Sequence, residues 1–525
     1  MAPHPEPVMS RSLLPSLVVL AFSGCSSIQP DTSSSDGRGS ADSGSWDADA
    51  DTDTDSDSDT DGDIDADTAD TGQASDTADT ATETDTGSAC DETTPVKLFI
   101  SPDDSNSMAS GVLARLSVLD GWGRAPAAPV RTWELFNYYD WDYPAAADGQ
   151  LLVTPQIEAQ ADGTWLLQLG ISSPALANAD RAPMNLVFSL DTSGSMSGAP
   201  LDALKATLRA IASSLRYGDV VSVVDWATNP NVSLREHRVS GPDDVSLLAT
   251  VNGLESNGGT NLSGGLEKAY ELAELNYDEG RINRVVLVSD GGANIGLTDE
   301  DVIARHAGSE FKAGIYLAGV GVGTGESYND ELMDAVTDLG KGASTFVSDS
   351  EEAWRTFGTE RFVSQMDVAG RNVRIILELP PGFTVGRSSA EQISTDPSEV
   401  EPQNIAPDDV VVLFNELETC APEALTNESP VTVTLTWDDP QTLMEQSVTR
   451  TWTFGELLAG DTALLQKGHA VFAYADALKL WQTQGASAAT KSAVRDAITQ
   501  LAIAESANPG DDDLEELRLV LDAMP

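Results

Sequence analysis

At 525 residues the chain is too long for one hydrophobic core, so two or three folded units plus tails are expected. Aspartate and glutamate total 85 against 29 lysines and arginines, a formal net charge of −56. That balance argues against a nucleic-acid partner, which needs clustered cations, and against docking by charge on anionic lipid.

The N-terminus reads as an export signal over residues 1–24. Arg11 precedes an apolar run from Leu13 to Phe22, followed by small residues and Cys25 in "LAFSGC". The run is too short to span a bilayer and stay there. It is either a cleaved signal peptide that happens to contain a cysteine, or a bacterial lipobox. The stretch "FSGC" resembles a lipobox, with Phe22 as a departure from the pattern. The long polar tract after Cys25 favours the lipobox, with a lipid on Cys25 replacing a transmembrane helix. The expected location is a bacterial cell envelope, with the lipid as the only membrane contact. By resemblance to known sorting rules, Ser26 permits the outer membrane or cell surface.

Residues 25–95 read as an acidic, disordered tether. The stretch 26–90 holds 19 acids, one base (Arg38) and one aromatic residue (Trp46). Such a composition cannot bury enough surface to fold, and a flexible chain of this length spans about 45 Å before charge repulsion extends it. Asp57, Asp59, Asp61, Gly62 and Ile64 match the opening of a calcium loop. Thr68 stands where that loop needs a bidentate glutamate, so a solvated spacer is the plainer reading. Beyond Cys25 the cysteines are Cys90 and Cys420. In an oxidising compartment they are expected to pair, the alternative being two unrelated thiols.

Residues 96–182 form a flanking module in this reading. "VRTWELFNYYDWDYP" (Val130–Pro144) carries six aromatic residues in fifteen, suited to a binding surface or, more plainly, to packing against the next domain. Over 183–358 strands and helices alternate. The strands are Asn185–Leu190, Val220–Trp226, Arg284–Ser289 and Ile315–Val322; the helices are Leu201–Leu215, Leu262–Leu275, Asp299–Phe311 and Asp330–Leu339. That rhythm gives an α/β fold, a doubly wound and mostly parallel sheet of Rossmann-like type. Residues 359–455 alternate as in an antiparallel sheet or sandwich, for example "VTVTLTW", and 456–525 read as helices with Leu464, Val471, Ala475 and Leu478 on one face.

Ligands of an open parallel sheet bind beyond the carboxyl ends of its strands. Three polar clusters fall at such loops: Asp191, Ser193 and Ser195 after the first strand, Thr260 in "SNGGTNL", and Asp290 in "VVLVSDGGAN". Five oxygen side chains without His or Cys describe a hard-cation site, and Mg²⁺ takes about six oxygens. The five cannot fill six positions one for one, and two carboxylates only balance the ion's charge. An incoming anionic oxygen would still be attracted, with water as its competitor. The Gly319–Gly325 run lacks the Gly-x-Gly-x-x-Gly register, so no nucleotide is expected.

This segment resembles the von Willebrand factor type A domain, whose metal-ion-dependent adhesion site is built from Asp-x-Ser-x-Ser, a later Thr and a later Asp. Here these are "DTSGS" (191–195), "GGTN" (258–261) and "SDGGAN" (289–294). The resemblance implies that Ser193, Ser195 and Thr260 bind Mg²⁺ (or Mn²⁺ or Ca²⁺) directly or nearly so. Asp191 and Asp290 would act through water or switch with ligand. It extends to the flanks, which look like those of a group of bacterial exported A-domain proteins.

The leading expectation is a non-enzymatic binding protein whose metal accepts an Asp or Glu carboxylate from a protein partner. Two alternatives stand beside it. One is a structural component of an envelope complex with a fold-stabilising metal. The other is a carboxylate- and Mg²⁺-dependent hydrolase, disfavoured because the four histidines form no His-Glu-x-x-His pattern.

Overall fold

Uninterrupted apolar runs become buried parallel strands, and alternating runs become the strands of a sandwich. The computed structural model describes residues 90–101, 107–120, 124–292, 314–323, 328–358 and 361–525. Cys25, the acidic tether up to residue 89, the calcium-like window and the expected Asp299–Phe311 helix lie outside them. The described strands are β1 (Val96–Ser101), β2 (Leu152–Ala159), β3 (Trp165–Ser172), β4 (Met184–Asp191), β5 (Val220–Trp226), β6 (Pro230–Arg238), β7 (Ile282–Ser289), β8 (Tyr316–Val322), β9 (Ser344–Val347), β10 (Gly370–Leu379), β11 (Phe383–Ser388), β12 (Gln392–Ser394), β13 (Gln403–Ile405), β14 (Val410–Thr419), β15 (Pro430–Asp438) and β16 (Glu445–Thr453). The helices used below are α1 (Ala109–Arg115), α2 (Thr132–Tyr138), α3 (Ala199–Ser214), α4 (Val245–Asn252), α5 (Leu262–Leu275), α6 (Asp330–Leu339), α7 (Ser350–Phe357), α8 (Phe362–Met366), α9 (Phe454–Leu458), α10 (Ala463–Gln484), α11 (Ala488–Ala507) and α12 (Asp512–Ala523).

One sheet runs β6-β5-β4-β7-β8-β9. Its members are parallel except β6, which is antiparallel to β5. β4 is buried at every position because helices cover both faces. Val285 and Leu287 of β7 face α5 and α6, whereas Val286 and Val288 face the α3, α4, α7 and α8 side. The chain leaves β4 toward β5 on one side and later returns to β7 on the other, so β4 marks the reversal of strand order. At its start the buried Arg181 guanidinium meets the buried Asp219 carboxylate at 2.6 Å, and Asp219 also accepts the Met184 N–H at 2.8 Å. The sequence reading contains no β6: its polar "PNVSLREHR" lies on an exposed edge and needs no apolar run.

The other two sheets form a sandwich around a shared core. One is β12-β1-β10-β15-β16 with β13 also on β10, and the other is β11-β14-β3-β2. Leu98, Ile375, Leu377 and Val433 from the first meet Leu167, Leu169, Leu413 and Leu417 from the second. Here the structure corrects the expected division into separate units over 96–182 and 359–455. β1 pairs with β10, Leu98 opposite Leu377, and β3 pairs with β14, Leu169 opposite Leu413. Strands on both sides of the parallel sheet in sequence complete one sandwich, because neither segment alone offers a second apolar face to bury. A disulfide between Cys90 and Cys420 ties the same two segments, with Cα atoms 5.9 Å apart and 330 residues between them in sequence.

The aromatic stretch packs rather than lies open. Phe136 stacks on Trp141 with centroids 5.6 Å apart and on Phe414 of β14 at 6.4 Å. α10 crosses the outer face of the β14–β3 sheet and buries Val471, Ala475 and Leu478. Gly468 is required at the crossing, since a β-carbon there would lie 1.8 Å from the Gln168 side-chain oxygen. α2 also grips α6: Arg131 pairs with Asp330 at 2.6 Å and with Asp334 at 2.8 Å, and Glu134 lies beside it at 3.5 Å. Three carboxylates crowd one guanidinium out of water. Burial raises the Glu134 and Asp334 carboxyls to about 7 each.

Candidate metal centre

Asp191 closes β4, and its carboxylate is used locally at once. One oxygen accepts the Ser193 N–H at 2.9 Å, and the other accepts the Ser289 hydroxyl at 2.7 Å. Ser289 is the last residue of β7, so this bond joins the carboxyl ends of the two central strands. Burial raises the Asp191 carboxyl above the usual range against the pull of these donors, and the charge of Asp290 adds to the rise. A cation nearby would relieve that cost. Ser193 is extended and leads into a single tight turn, Gly194–Met196, which brings its hydroxyl to 3.0 Å from that of Ser195. Asp191 and Ser193 are buried and Ser195 is exposed, so the pair runs from interior to surface.

The second loop is pinned on the first by backbone. The Asn257 N–H donates to the Thr192 carbonyl at 2.8 Å, and the Gly194 N–H donates to the Gly258 carbonyl at 3.3 Å. Gly258 has a positive φ of 71°, and a β-carbon there would lie 2.8 Å from the Thr228 hydroxyl, so both conformation and space demand glycine. Thr228 then accepts the Gly259 N–H at 2.9 Å. Thr260 follows, exposed, directly before Asn261, whose side chain caps α5 by accepting the Gly264 N–H at 3.0 Å.

The third loop abuts the same place. Asp290 is buried; its carboxylate accepts the Gly292 N–H at 3.0 Å and its carbonyl accepts the Asn329 N–H at 3.3 Å. A β-carbon built on Gly292 would lie 3.5 Å from the Ser195 hydroxyl, which measures how closely this loop meets the first. The loops carrying Asp191, Ser193, Ser195, Thr260 and Asp290 therefore meet beyond the carboxyl ends of β4 and β7.

Among the described residues no group of three or more His, Cys, Asp or Glu is placed to hold a metal. Any cation here would rest on hydroxyls with two carboxylates, an all-oxygen set that fits Mg²⁺, Mn²⁺ or Ca²⁺ and not zinc. His237 is bonded to Asp244 at 2.8 Å, and His469 stacks on Phe414, so neither joins this site. Two residues of the arrangement, Ser289 and Asn329, were not singled out from sequence. The available signal for Ser289 was its place as the last strand residue before Asp290. Asn329 had no signal, because its contact with Asp290 is made across the fold.

Known proteins resemble parts of this chain. The model of the von Willebrand factor type A domain matches residues 186–293. YfbK of Escherichia coli K12 is 29% identical over 273 residues, covering 49% of this chain and 46% of that protein. The protein sll0103 of Synechocystis is 25% identical over 215 residues, covering 41% and 49%. The chain thus spans about half the length of the curated relatives it matches. A solved von Willebrand factor type A protein from Catenulispora acidiphila superposes with a TM-score of 0.42 at 14% identity, covering 71% of this chain and 88% of that one. The chain contains a von Willebrand factor type A domain, carried between flanking regions.

Proposed function

We propose that this chain is a cell-envelope binding protein, lipid-anchored through Cys25, whose A domain recognises a protein partner through a divalent cation. The coarser part, an interaction or adhesion role, rests on the domain itself. The finer part is supported by one observation above all: the Ser193 and Ser195 hydroxyls stand 3.0 Å apart in front of a buried Asp191, at the meeting point of three loops. Ser193, Ser195 and Thr260 would hold Mg²⁺ or a similar ion, and Asp191 and Asp290 would balance its charge. When bound, the ion supplies a Lewis-acidic position for an Asp or Glu carboxylate of the partner. The role of the chain's own residues is positional. Asp191 holds the Ser193 backbone, Ser289 fixes the Asp191 carboxylate, and the Gly258 carbonyl holds the turn between the two serines.

The test is Mn²⁺ binding to the full-length chain by paramagnetic resonance, followed by competition with Mg²⁺. The expected result is about one tight site per chain that Ser193→Ala and Asp191→Asn abolish while thermal unfolding without metal stays within about 1–2 kcal/mol of the parent. Equal Mn²⁺ binding by parent and variants would overturn the reading. A partner found by envelope pull-down should then be released by EDTA.

A further inference from the structure

The stretch "YYDWDYP" (Tyr138–Pro144) has a second face that the metal centre does not use. Its aromatic residues Tyr138, Tyr139, Trp141 and Tyr143 are all buried, while Asp140 and Asp142 between them are exposed. The two carboxylates line a cleft of about 970 Å³. Its other walls come from the 408–410 turn, the start of α10, the start of α12 and the segment 361–365. Met108, which also lines it, donates its N–H to Ser344, the first residue of β9. The cleft therefore lies toward the starting ends of the parallel strands, away from the loops that carry Asp191 and Asp290.

Eight aspartates line this cleft against one arginine and one lysine. Both bases are already committed. Arg361 pairs with Asp140, and the Lys467 ammonium, almost fully buried, is held by Asp511 and Asp513 at 2.8 Å each. Asp142, Asp408, Asp461 and Asp512 form no ion pair with any described residue. Two further groups point to an occupant. Tyr139 and Gln365 line the cleft, both are only 4% exposed, and neither side chain has a hydrogen-bond partner among the described residues. Neither side chain is satisfied from within the described protein, so water or a ligand in the cleft is left to supply its partner.

The distribution of the charge selects the ligand. No three of these carboxylates converge as a metal ligand set among the described residues. They are spread over the walls, and Met108, Pro144, Val410 and Leu464 supply apolar surface between them. A bare ion would engage one or two acids and leave the rest unpaired. A flexible chain carrying several ammonium groups separated by methylenes matches both the spread of charge and the apolar patches. We propose that this cleft binds an alkylpolyammonium ligand, either a free polyamine or the lysine side chains of a basic peptide segment.

Spermidine titrated calorimetrically into the full-length chain, with EDTA present and at fixed salt, tests this. The comparison is with the triple variant Asp142→Asn, Asp408→Asn, Asp512→Asn. Acids outside the cleft contribute the same background to both proteins, so the difference between them is the reading. The expected outcome is binding weakened at least about tenfold in the triple variant, and about threefold in Tyr139→Phe, with unchanged thermal unfolding. Repeating the titration with a lysine-rich peptide tells a peptide-borne source from a free polyamine. Superimposable curves for parent and triple variant would overturn the proposal. So would displacement of spermidine from the parent by an equal concentration of Ca²⁺.

Discussion

The parallel sheet and the sandwich bury comparable apolar runs but gather them in opposite ways. The parallel sheet takes every described strand from one stretch of chain, β4 to β9, and is covered by helices that lie between those strands or soon after the last of them. The sandwich pairs β1 with β10 and β3 with β14, strands separated by the whole A domain. The first is therefore held by contacts close in sequence, and the second depends on closing a very long loop. The cost of closure grows only slowly with length, which is why an entire domain can stand between paired strands. The lesson is that the flanking regions are one structural unit and the A domain is an insertion in it.

If that contrast is right, a defect inside the parallel sheet should differ in kind from one in the sandwich. The largest expected effect is inside. Asp219→Ala strands the buried Arg181 charge and removes the acceptor for Met184, so it should cost about 3–5 kcal/mol in urea unfolding. Loss of Mn²⁺ binding together with that stability would tie the defect to the A domain. Next comes the long-range tie. Replacing Cys90 and Cys420 together by serine should cost about 2–4 kcal/mol, with the sandwich melting first and the metal centre retained. If both regions instead melt together, the insertion is not an independent cooperative unit.

A third variant sharpens the boundary between sheet and helices. Gly468→Ala pushes α10 off β3 against Gln168, and should cost about 1–3 kcal/mol despite the higher helix propensity of alanine. The last test is read as a slope rather than a single loss, and concerns the junction of α2 and α6. Burial raises Glu134 and Asp334 to about 7 in the folded protein, so the folded state holds protons that the unfolded state has released. Their contribution is present below the ordinary carboxyl range and is lost as pH rises through about 7. Stability should therefore fall between about pH 5 and pH 8, by at most about 1.4 kcal/mol per pH unit for each proton held. Glu134→Gln should flatten that slope. An unchanged slope would show that the cluster holds no extra proton.

How much was legible follows from the same contrast. The strand Val220–Trp226 and the helices Leu262–Leu275 and Asp330–Leu339 coincide with their sequence-predicted bounds, because each has an apolar period and a clear end signal. Asn261 and Asn329 cap the two helices, residue types that favour such ends. β6 was silent, since an exposed edge strand carries no apolar run. α4 was silent as well, being eight residues long with only Leu247 and Val251 buried. At the centre, the donor residues were readable because strand ends and small polar residues mark ligand loops. Ser289's bond to Asp191 and the Gly258 carbonyl's hold on Gly194 were not, since both join distant parts of the chain.

By itself the sequence determined the alternation of strands and helices, the acidity of the chain and the kinds of atom offered at three loops, all of which are set by residues near one another. Only the tertiary structure decided that β1 and β3 belong with β10 and β14, and that α10 sits close enough to β3 to require Gly468. It alone decided that the aspartates of "YYDWDYP" share a cleft with those of α12. The reason is physical. Local periodicity says which face of an element must be buried, but several other faces can bury it, and the choice among them is made by shape and volume once the whole chain is packed.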